Sequence, residues 1–478
     1  MSTYKEGTMD RYQTRLIVLD QMVDEHSFAR VIHAFLSEAK PEYFNFKNAS
    51  PKGIGNSPYN PMDLMALYLY GYRKSICSSR KLEEQCRINL EVMWLLNGLM
   101  PDDKTICNFR TENKEGFEKC FLLFQEFCDA EGLFGKKVVS VDGTKIRASN
   151  GRKKMITKKG LEKKKKHYEK ELNSYLANLD RNDGMKNSVG EEKEQIHKKL
   201  EEIEEQLREI EETGSQALTD PDCKYMKMNN NGAAPGYNCQ TVVDEKNHLI
   251  VTGKVTNSPT DRNELYEMVK EAKEQMGVET LTALADKGYF TGEELKKCKE
   301  ENINAVVCPT DSRNQDGYGK DAFLYEEKED VYICPKGRRL TKHGKKRRQY
   351  HNEQACKKCP DREKCTKGQK KIIVPTEYEK ELIEGKENYQ KNIELYKKRQ
   401  QLSEHPFGTI KRGLGRDHFL LRTLPKVEIE NTLNNLTYNL IRVVNIYTGS
   451  ETGPGFDALL CRLKKRVSEI MDGNIQTA

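Results

Sequence analysis

Residues 139–146 read VSVDGTKI and carry two conflicting signals. The β-branched residues predict a buried strand, but an acidic residue, Asp142, stands in the middle of it. Removing water from a carboxylate costs free energy, and only a basic partner or a metal ion compensates for that cost. We therefore expect a positive group to lie beside Asp142.

The segments around and after this strand alternate between strand and helix patterns. Two more β-rich segments are followed by an amphipathic helix, a strand, a second helix and a last strand. The seven segments are residues 137–146, 237–245, 248–257, 262–277, 280–289, 291–302 and 304–309. This is the order of a ribonuclease-H-like mixed sheet, and it obeys the usual rules for connecting strands. The predicted fold class is therefore α/β, or α+β for the chain as a whole.

Other segments precede or interrupt this core. The apolar stripes of residues 1–130 predict a small all-helical domain, either a helix-turn-helix DNA reader or a dimerisation module. Residues 151–214 space apolar side chains three and four apart among Lys and Glu, which predicts an antiparallel helical hairpin, interpreted as a spacer or oligomerisation arm. The rest of the chain divides into three predicted parts. These are a catalytic core of residues 136–150, 215–312 and 376–447, a basic Cys-rich insertion at 313–375 and a C-terminal tail at 448–478.

The positive charge of the chain is concentrated in one segment. The formal net charge is +7 over 478 residues. Residues 334–371 hold fifteen Lys or Arg against three acids, a net +12, which leaves −5 for the rest of the chain. Such a concentration predicts a surface for DNA, with Arg347 and Arg348 among its phosphate contacts, although a solvated lysine-rich loop has the same composition.

The apolar residues are distributed in short runs. No stretch of eighteen apolar residues occurs, and the first fifteen residues are polar and charged. This pattern predicts neither a membrane span nor a secretory signal. We expect a protein of the bacterial cytoplasm that has no membrane partner.

Two further acids occupy positions that suit a metal site. Asp286 ends an apolar strand in ALADKGYF, residues 283–290, and ligands collect at the ends of strands in an α/β sheet. Glu404 follows a helical run that begins near residue 378, and that helix could bring it beside Asp142 and Asp286. Phosphodiester cleavage develops negative charge on two oxygens, which two Mg²⁺ ions about 4 Å apart stabilise together. Because such cations prefer carboxylate ligands, the three acids predict a two-metal site.

Four of the fourteen cysteines differ from the others, which we expect to be reduced core residues. Cys356 and Cys359 form a C-x2-C half-site for structural Zn²⁺, and Cys334 and Cys365 would complete a four-thiolate shell. The spacing of the outer two is irregular. A histidine of the same segment in place of one thiolate, or four thiols without metal, therefore stay open as alternatives.

These motifs resemble the DDE transposases of bacterial insertion sequences, in the group with a Tyr-Arg-Glu-Lys signature. The resemblance covers nearly the whole chain. VSVDGTKIRAS resembles the first-aspartate strand, ADKGYFTGEEL the second-aspartate motif, and EHPFGTIKR the surroundings of the glutamate. The signature falls on Tyr396, Arg399, Glu404 and Lys411, with an Arg-to-Glu gap one residue longer than in typical members.

The resemblance implies roles for these residues. The three acids Asp142, Asp286 and Glu404 would bind two Mg²⁺ or Mn²⁺ ions. Arg399 and Lys411 would contact DNA phosphates, and Tyr396 would lie near the cleaved end. Because of the longer gap, Arg412 and the two lysines before Arg399 are substitutes for that arginine. Arg suits bidentate phosphate contact, and Lys acts as a point charge beside it.

The implied activity is transposition of DNA. The enzyme would bind the element ends, cleave DNA by metal-assisted hydrolysis and join the freed 3′-hydroxyl to target DNA by transesterification, as a homodimer or larger synaptic complex. Two alternatives are a catalytically silent, transposase-derived DNA-binding regulator and another nuclease with a ribonuclease-H fold. The presence of all three acids disfavours the first alternative, and the basic insertion with the extra helical domain disfavours the second.

Overall fold

The computed structural model describes residues 18–47, 57–151, 154–179, 189–210, 215–228, 232–310, 318–326, 328–344, 348–449 and 453–476. Its first part is helical, and α3 is buried along most of its length. The helices are α1 (Leu19–Met22), α2 (Phe28–Leu36), α3 (Pro61–Arg73), α4 (Ser79–Ile88), α5 (Leu90–Leu95), α6 (Asp103–Glu112) and α7 (Lys114–Ala130).

The middle of the chain contains the central sheet and a helical insertion. Its elements are β1 (Val138–Arg147), β2 (Met155–Thr157), α8 (Lys158–Leu179), α9 (Val189–Ile210), β3 (Ser215–Ala217), β4 (Lys224–Lys227), β5 (Ala233–Asp244), β6 (Ile250–Thr256), α10 (Leu265–Gln275), β7 (Leu281–Ala285), α11 (Gly292–Glu300) and β8 (Ile303–Val307).

The central sheet has the strand order β6-β5-β1-β7-β8, and β4 extends it beside the first residues of β5. Strand β1 runs antiparallel to β5 and parallel to β7, which is parallel to β8. Three antiparallel strands followed by two parallel crossovers make a ribonuclease-H-like mixed sheet. The predicted fold class is confirmed, because each strand and helix expected from the period of the apolar residues forms in the expected order.

The predicted helical hairpin is also present. Helices α8 and α9 lie side by side and antiparallel, since Lys165 Nζ is 2.6 Å from Glu204 Oε1 while Lys199 lies over the ring of Tyr168. The short strands β2 and β3 pair at the base of the hairpin. Its turn falls largely on residues 180–188, which lie outside the described residues.

The last third of the chain contains the Cys-rich insertion and the closing helices. The strands β9 to β12 form a separate four-stranded sheet in the order β12-β11-β10-β9. The elements are β9 (Leu324–Glu326), β10 (Val331–Ile333), β11 (Arg339–His343), β12 (Gln349–His351), α12 (Glu353–Lys357), α13 (Arg362–Cys365), α14 (Glu379–Lys391), α15 (Ile393–Tyr396), α16 (Lys398–Gly408), α17 (Leu424–Thr448) and α18 (Phe456–Gln476).

The helical first part and the central sheet share one apolar core. Helix α17 packs against α7 and α3 on one side and against β6 on the other. At the edge strand β6, Gln125 Nε2 donates to the carbonyl of Ile250 at 2.8 Å, and Asn439 Oδ1 accepts from its backbone N–H at 2.9 Å. Buried backbone groups need such partners, so these two side chains attach the helices to the sheet.

The C-terminal segment is more than the tail that the sequence predicted. Residues 456–476 form helix α18, which packs on α2 and α7. Its apolar side chains at intervals of four are buried in the shared core, namely Leu459, Leu463, Val467 and Met471. Among the described residues, every helix is too short or too polar to cross a lipid bilayer.

Replacing Leu463 by Ala should destabilise the folded protein by about 2–5 kcal/mol, the usual cost of truncating a buried leucine. Leu463 is fully buried where α18 covers the core. The measurement is the free energy of unfolding of the full chain in urea. Lys464→Ala, at the exposed neighbouring position, is the matched control and should change stability by less than about 0.5 kcal/mol. Equal unfolding curves for the two variants would show that α18 does not contribute to the core.

Candidate active site

The two predicted aspartates lie side by side, Asp142 within β1 and Asp286 directly after β7. Val141 in β1 and Ala285 in β7 are partners in the parallel register, and Asp142 and Asp286 are the residues that follow them. Asp286 Oδ1 accepts a hydrogen bond from the N–H of Gly288 at 2.7 Å and so begins a 3-10 turn after β7. The sheet register therefore places the first two acids next to each other.

The environment of Asp142 opposes its negative charge. Burial raises the pKa of Asp142 to about 6, the charge of Asp286 adds to the rise, and the Arg399 guanidinium acts against it. Arg399 Nη1 lies 3.4 Å from Asp142 Oδ2, and the two side chains are 19% and 24% exposed. The positive group expected beside Asp142 is thus Arg399 in this structure. The distance is long for a charged hydrogen bond, so the pair compensates only part of the cost of burial.

Helix α16 lies across the strand that carries Asp142. Ser403 Oγ is 2.7 Å from Ser140 Oγ, and both residues are buried. Leu402 packs with apolar side chains of β1, β7 and β8. Glu404, which follows Ser403, is exposed and accepts a hydrogen bond from Gln400 Nε2 at 3.0 Å. No contact between Glu404 and either aspartate is found among the described residues, so its role as a third ligand stays a prediction.

Three of the predicted DNA-contacting residues lie along β1. The guanidinium of Arg399 lies 6.0 Å from the ring centre of Tyr396, and burial raises the pKa of that phenol to about 12. Lys411 Nζ donates to the backbone carbonyl of Lys145 at 2.9 Å, and burial lowers the pKa of Lys411. These contacts gather Tyr396, Arg399 and Lys411 around the acid pair.

The other predicted DNA contacts are dispersed. Arg412 is exposed and follows Lys411 directly. Arg348 is exposed beside strand β12 of the Cys-rich insertion, and Arg347 lies outside the described residues. The Cys-rich insertion therefore presents at least one of its predicted arginines to solvent, as a phosphate contact requires.

A third acid at the site was not predicted from the sequence. Asp261 lies in the connection between β6 and α10, and its Oδ1 accepts hydrogen bonds from Lys145, Asn238 and Gln240. Its charge contributes to raising the pKa of Asp142, after burial and the other causes. The available signal was an acid in a short polar connection just before an amphipathic helix, which is too common in sequences to single out one residue.

The four predicted cysteines line one small cavity in the Cys-rich insertion. The N–H of Arg338 donates to Cys334 Sγ at 3.4 Å. Burial raises the pKa of the Cys365 thiol, Lys371 acts against this rise, and the other three thiols add to it. His343 and His351 stack on each other at 3.9 Å, and the described lining of the cavity contains neither. The arrangement thus favours four thiols over a set that includes a histidine.

The described side chains do not form a finished metal site. Within the described part of the chain, no group of three or more His, Cys, Asp or Glu side chains is close enough to hold one metal ion. The thiols converge on one cavity, and the two adjacent aspartates offer oxygen donors that hard cations prefer. In both places the types of donor fit the expected metal, but closing the ligand shell requires side chains to move.

The strand order and the adjacent aspartates define the chain as a ribonuclease-H-like protein. Two family models match its sequence: "Transposase DDE domain" at residues 205–440 and "Transposase domain (DUF772)" at residues 17–112. Together the matches cover more than two thirds of the chain, which belongs to the DDE transposases of bacterial insertion sequences. The DDE match includes Asp286 and Glu404 and begins downstream of Asp142.

Other comparisons add little. Among curated proteins, none matches the chain. One solved structure that the chain resembles is the cryo-EM structure of the piggyBac transposase synaptic complex with hairpin DNA. It is 9% identical, with a TM-score of 0.33, and the alignment covers 93% of this chain and 81% of that one. At this level of similarity it carries no conclusion about function. The family matches support a DNA-transposing enzyme as the general class.

Asp142 should make the metal-free protein less stable as the pH rises. Its pKa is raised from 3.8 to about 6, so the folded protein binds the proton more tightly than the unfolded chain. The contribution to stability is full below pH 3.8 and is lost as the pH rises through about 6. At about 1.4 kcal/mol per pKa unit, the loss is on the order of 2–3 kcal/mol.

The Asp142→Asn variant isolates this effect, because Asn does not titrate. The measurement is the free energy of unfolding in urea between pH 4 and pH 8 in buffer without divalent ions. The difference between wild type and variant should shift in favour of the variant as the pH rises. Parallel pH dependences of the two proteins would contradict the burial of this carboxylate.

Proposed function

We propose that the chain is an insertion-sequence transposase that binds the element ends, cleaves DNA by metal-assisted hydrolysis and joins the 3′-hydroxyl end to target DNA by transesterification. The observation that carries the proposal is the adjacent pair of Asp142, within β1, and Asp286, at the end of the parallel strand β7, under a helix that also presents Arg399 and Glu404. We place this activity in the bacterial cytoplasm, where the DNA is accessible.

The proposed metal ligands are Asp142, Asp286 and Glu404. Two bound Mg²⁺ or Mn²⁺ ions would stabilise the charge that develops on the attacking and leaving oxygens of the phosphodiester. Glu404 is exposed and its one described side-chain partner is Gln400, so metal binding would require it to give up that surface hydrogen bond. Arg399, the present partner of Asp142, would then turn to the DNA phosphate.

The proposed DNA-binding surface surrounds the acids. Arg399 on helix α16 and Lys411 in the segment after it flank β1, and the protonated phenol of Tyr396 beside Arg399 could donate a hydrogen bond to the DNA. Arg412 extends this surface, and Arg347 and Arg348 provide further phosphate contacts from the Cys-rich insertion. The partners are the element ends and target DNA, held by a homodimer or a larger synaptic complex.

We also propose a structural Zn²⁺ ion in the Cys-rich insertion, bound by Cys334, Cys356, Cys359 and Cys365. The support is their convergence on one cavity and the N–H of Arg338 directed at a thiol, a type of contact that stabilises a thiolate ligand. This insertion has a small apolar core of its own, so a metal ion would contribute to its fold. A fixed insertion would hold its basic side chains over the DNA.

Replacing Asp142 or Asp286 by Asn, or Glu404 by Gln, should reduce cleavage of element-end DNA by more than about 100-fold. Removal of a partner outside the ligand shell already costs about 10–100-fold, and loss of a ligand should cost more. The measurement is the rate of strand cleavage and joining with Mg²⁺ on DNA that carries the element's terminal inverted repeats.

Asp472→Asn is the matched control. Asp472 is an exposed acid on α18 that pairs with Lys40 at 2.9 Å, away from the sheet ends, and its replacement should leave the rate unchanged. Full activity of the three site variants would refute the proposed site. An inactive wild type that still binds element ends would point instead to a DNA-binding regulator, and a preference for RNA–DNA hybrids would point to another nuclease.

Purified protein should contain about one zinc ion per chain, the number that one tetrahedral four-thiolate site holds. Cys359→Ser should lower the zinc content, since it removes one of the four ligands. Cys461→Ser, at an exposed cysteine on α18, is the control and should retain the full zinc content. The zinc content is measured by elemental analysis. Equal contents in the wild type and both variants, or no zinc in the wild type, would exclude this site.

A further inference from the structure

Asp261 forms an ion pair with a partly buried lysine beside the proposed site. Lys145 Nζ lies 2.8 Å from Asp261 Oδ1, and the two side chains are 11% and 23% exposed. Asn238 and Gln240 donate to the same oxygen at 2.7 and 2.8 Å. Burial acts to raise the pKa of Asp261, but these hydrogen bonds hold it below its usual value. Asp261 is therefore a charged carboxylate with a fixed position.

The ion pair lies next to both catalytic aspartates. A Cβ atom at Gly143, the residue after Asp142, would be 2.6 Å from Asp261 Oδ1. A Cβ atom at Gly288 would be 2.9 Å from Asp286 Oδ1 and 3.6 Å from Asp261 Oδ2. The carboxylates of Asp261 and Asp286 are thus separated by at most the sum of these two distances. Because Gly143 and Gly288 have no side chains, the Asp261 carboxylate has room beside the two aspartates.

The charges of the site depend on this pair. Three basic side chains belong to this site. Arg399 contacts Asp142, and Lys411 interacts electrostatically with it. Lys145, three residues further along β1 than Asp142, contacts Asp261. A divalent cation binds where the ligands are negative, and the charge of a lysine that is only 11% exposed is poorly screened. Asp261 balances Lys145, so this lysine adds no net positive charge beside the aspartates.

We infer that Asp261 is a positioning residue of the transposase site, whose charge prevents the partly buried Lys145 from competing with the divalent metal ion. This inference rests on the proposed function, because it assumes that the aspartates bind the ion. The side chain acts through Lys145 and through the electrostatic potential at the site. Asn238 and Gln240 orient it, and Tyr289 in turn donates a hydrogen bond to Gln240.

The test measures Mn²⁺ binding to the full chain without DNA. The electron paramagnetic resonance signal of free Mn²⁺ gives the amount of ion that remains unbound. Asp261→Asn should weaken Mn²⁺ binding by about 10–100-fold, the range for partners outside the ligand shell. The double variant Lys145→Met with Asp261→Asn removes both charges and should regain most of the affinity. Thermal unfolding of each variant shows that the affinities are those of folded protein.

Glu379→Gln is the control. It removes the charged partner of Lys320 from a similar partly buried ion pair at the start of α14, and it should not change Mn²⁺ affinity. If the double variant binds Mn²⁺ as weakly as Asp261→Asn, the inference is overturned. Asp261 would then act as a metal ligand or as a structural residue, because removal of Lys145 restores affinity only if Asp261 acts by neutralising that lysine. Unchanged affinity of Asp261→Asn would overturn it too, while leaving the proposed function intact. Wild-type Mn²⁺ binding that does not depend on Asp142 would overturn both.

Discussion

The structure depends on one unfavourable placement, a poorly hydrated carboxylate within the central strand β1. Burial raises the pKa of Asp142, and the neighbouring Asp286 adds to the effect, so the fold loses stability at neutral pH in order to hold these acids together. Arg399 compensates part of this cost across 3.4 Å. Such a site is ready for a divalent cation, which is a stronger partner for two adjacent carboxylates than one guanidinium. The burial that destabilises the charged form of Asp142 thus also favours the metal binding on which the proposed chemistry depends.

The surrounding fold keeps the acids in place. Strand β1 lies between β5 and β7, and the first helices, α17 and α18 extend the same apolar core behind the sheet. A rigid scaffold of this kind can hold two aspartates that repel each other, because their positions follow from the strand register rather than from their own contacts. Helix α16 adds the adjustable part, since Ser403 is buried against β1 while the adjacent Glu404 remains exposed.

Much of this arrangement could be predicted from the sequence. The period of apolar residues gives the strands and helices, and their order gives the sheet, which in turn brings Asp142 and Asp286 together. The role of Asp261 could not be predicted, because it depends on the absence of a side chain at Gly143 and on donors from β1 and β5. Helix α18 was not predicted although its 21 residues are amphipathic, because the sequence does not show which core its apolar face covers. The exposed position of Glu404 on α16 depends on how that helix packs on β1, which no sequence pattern encodes.

The central claim is that three acids from separate elements bind one pair of metal ions. Anomalous diffraction from crystals of the protein with Mn²⁺ and an element-end DNA tests it most directly. The account predicts Mn²⁺ between Asp142 and Asp286, with a Glu404 oxygen turned inward to about 2.1 Å from a metal ion. Mn²⁺ bound elsewhere, or Glu404 still paired with Gln400 in the metal-bound complex, would contradict it.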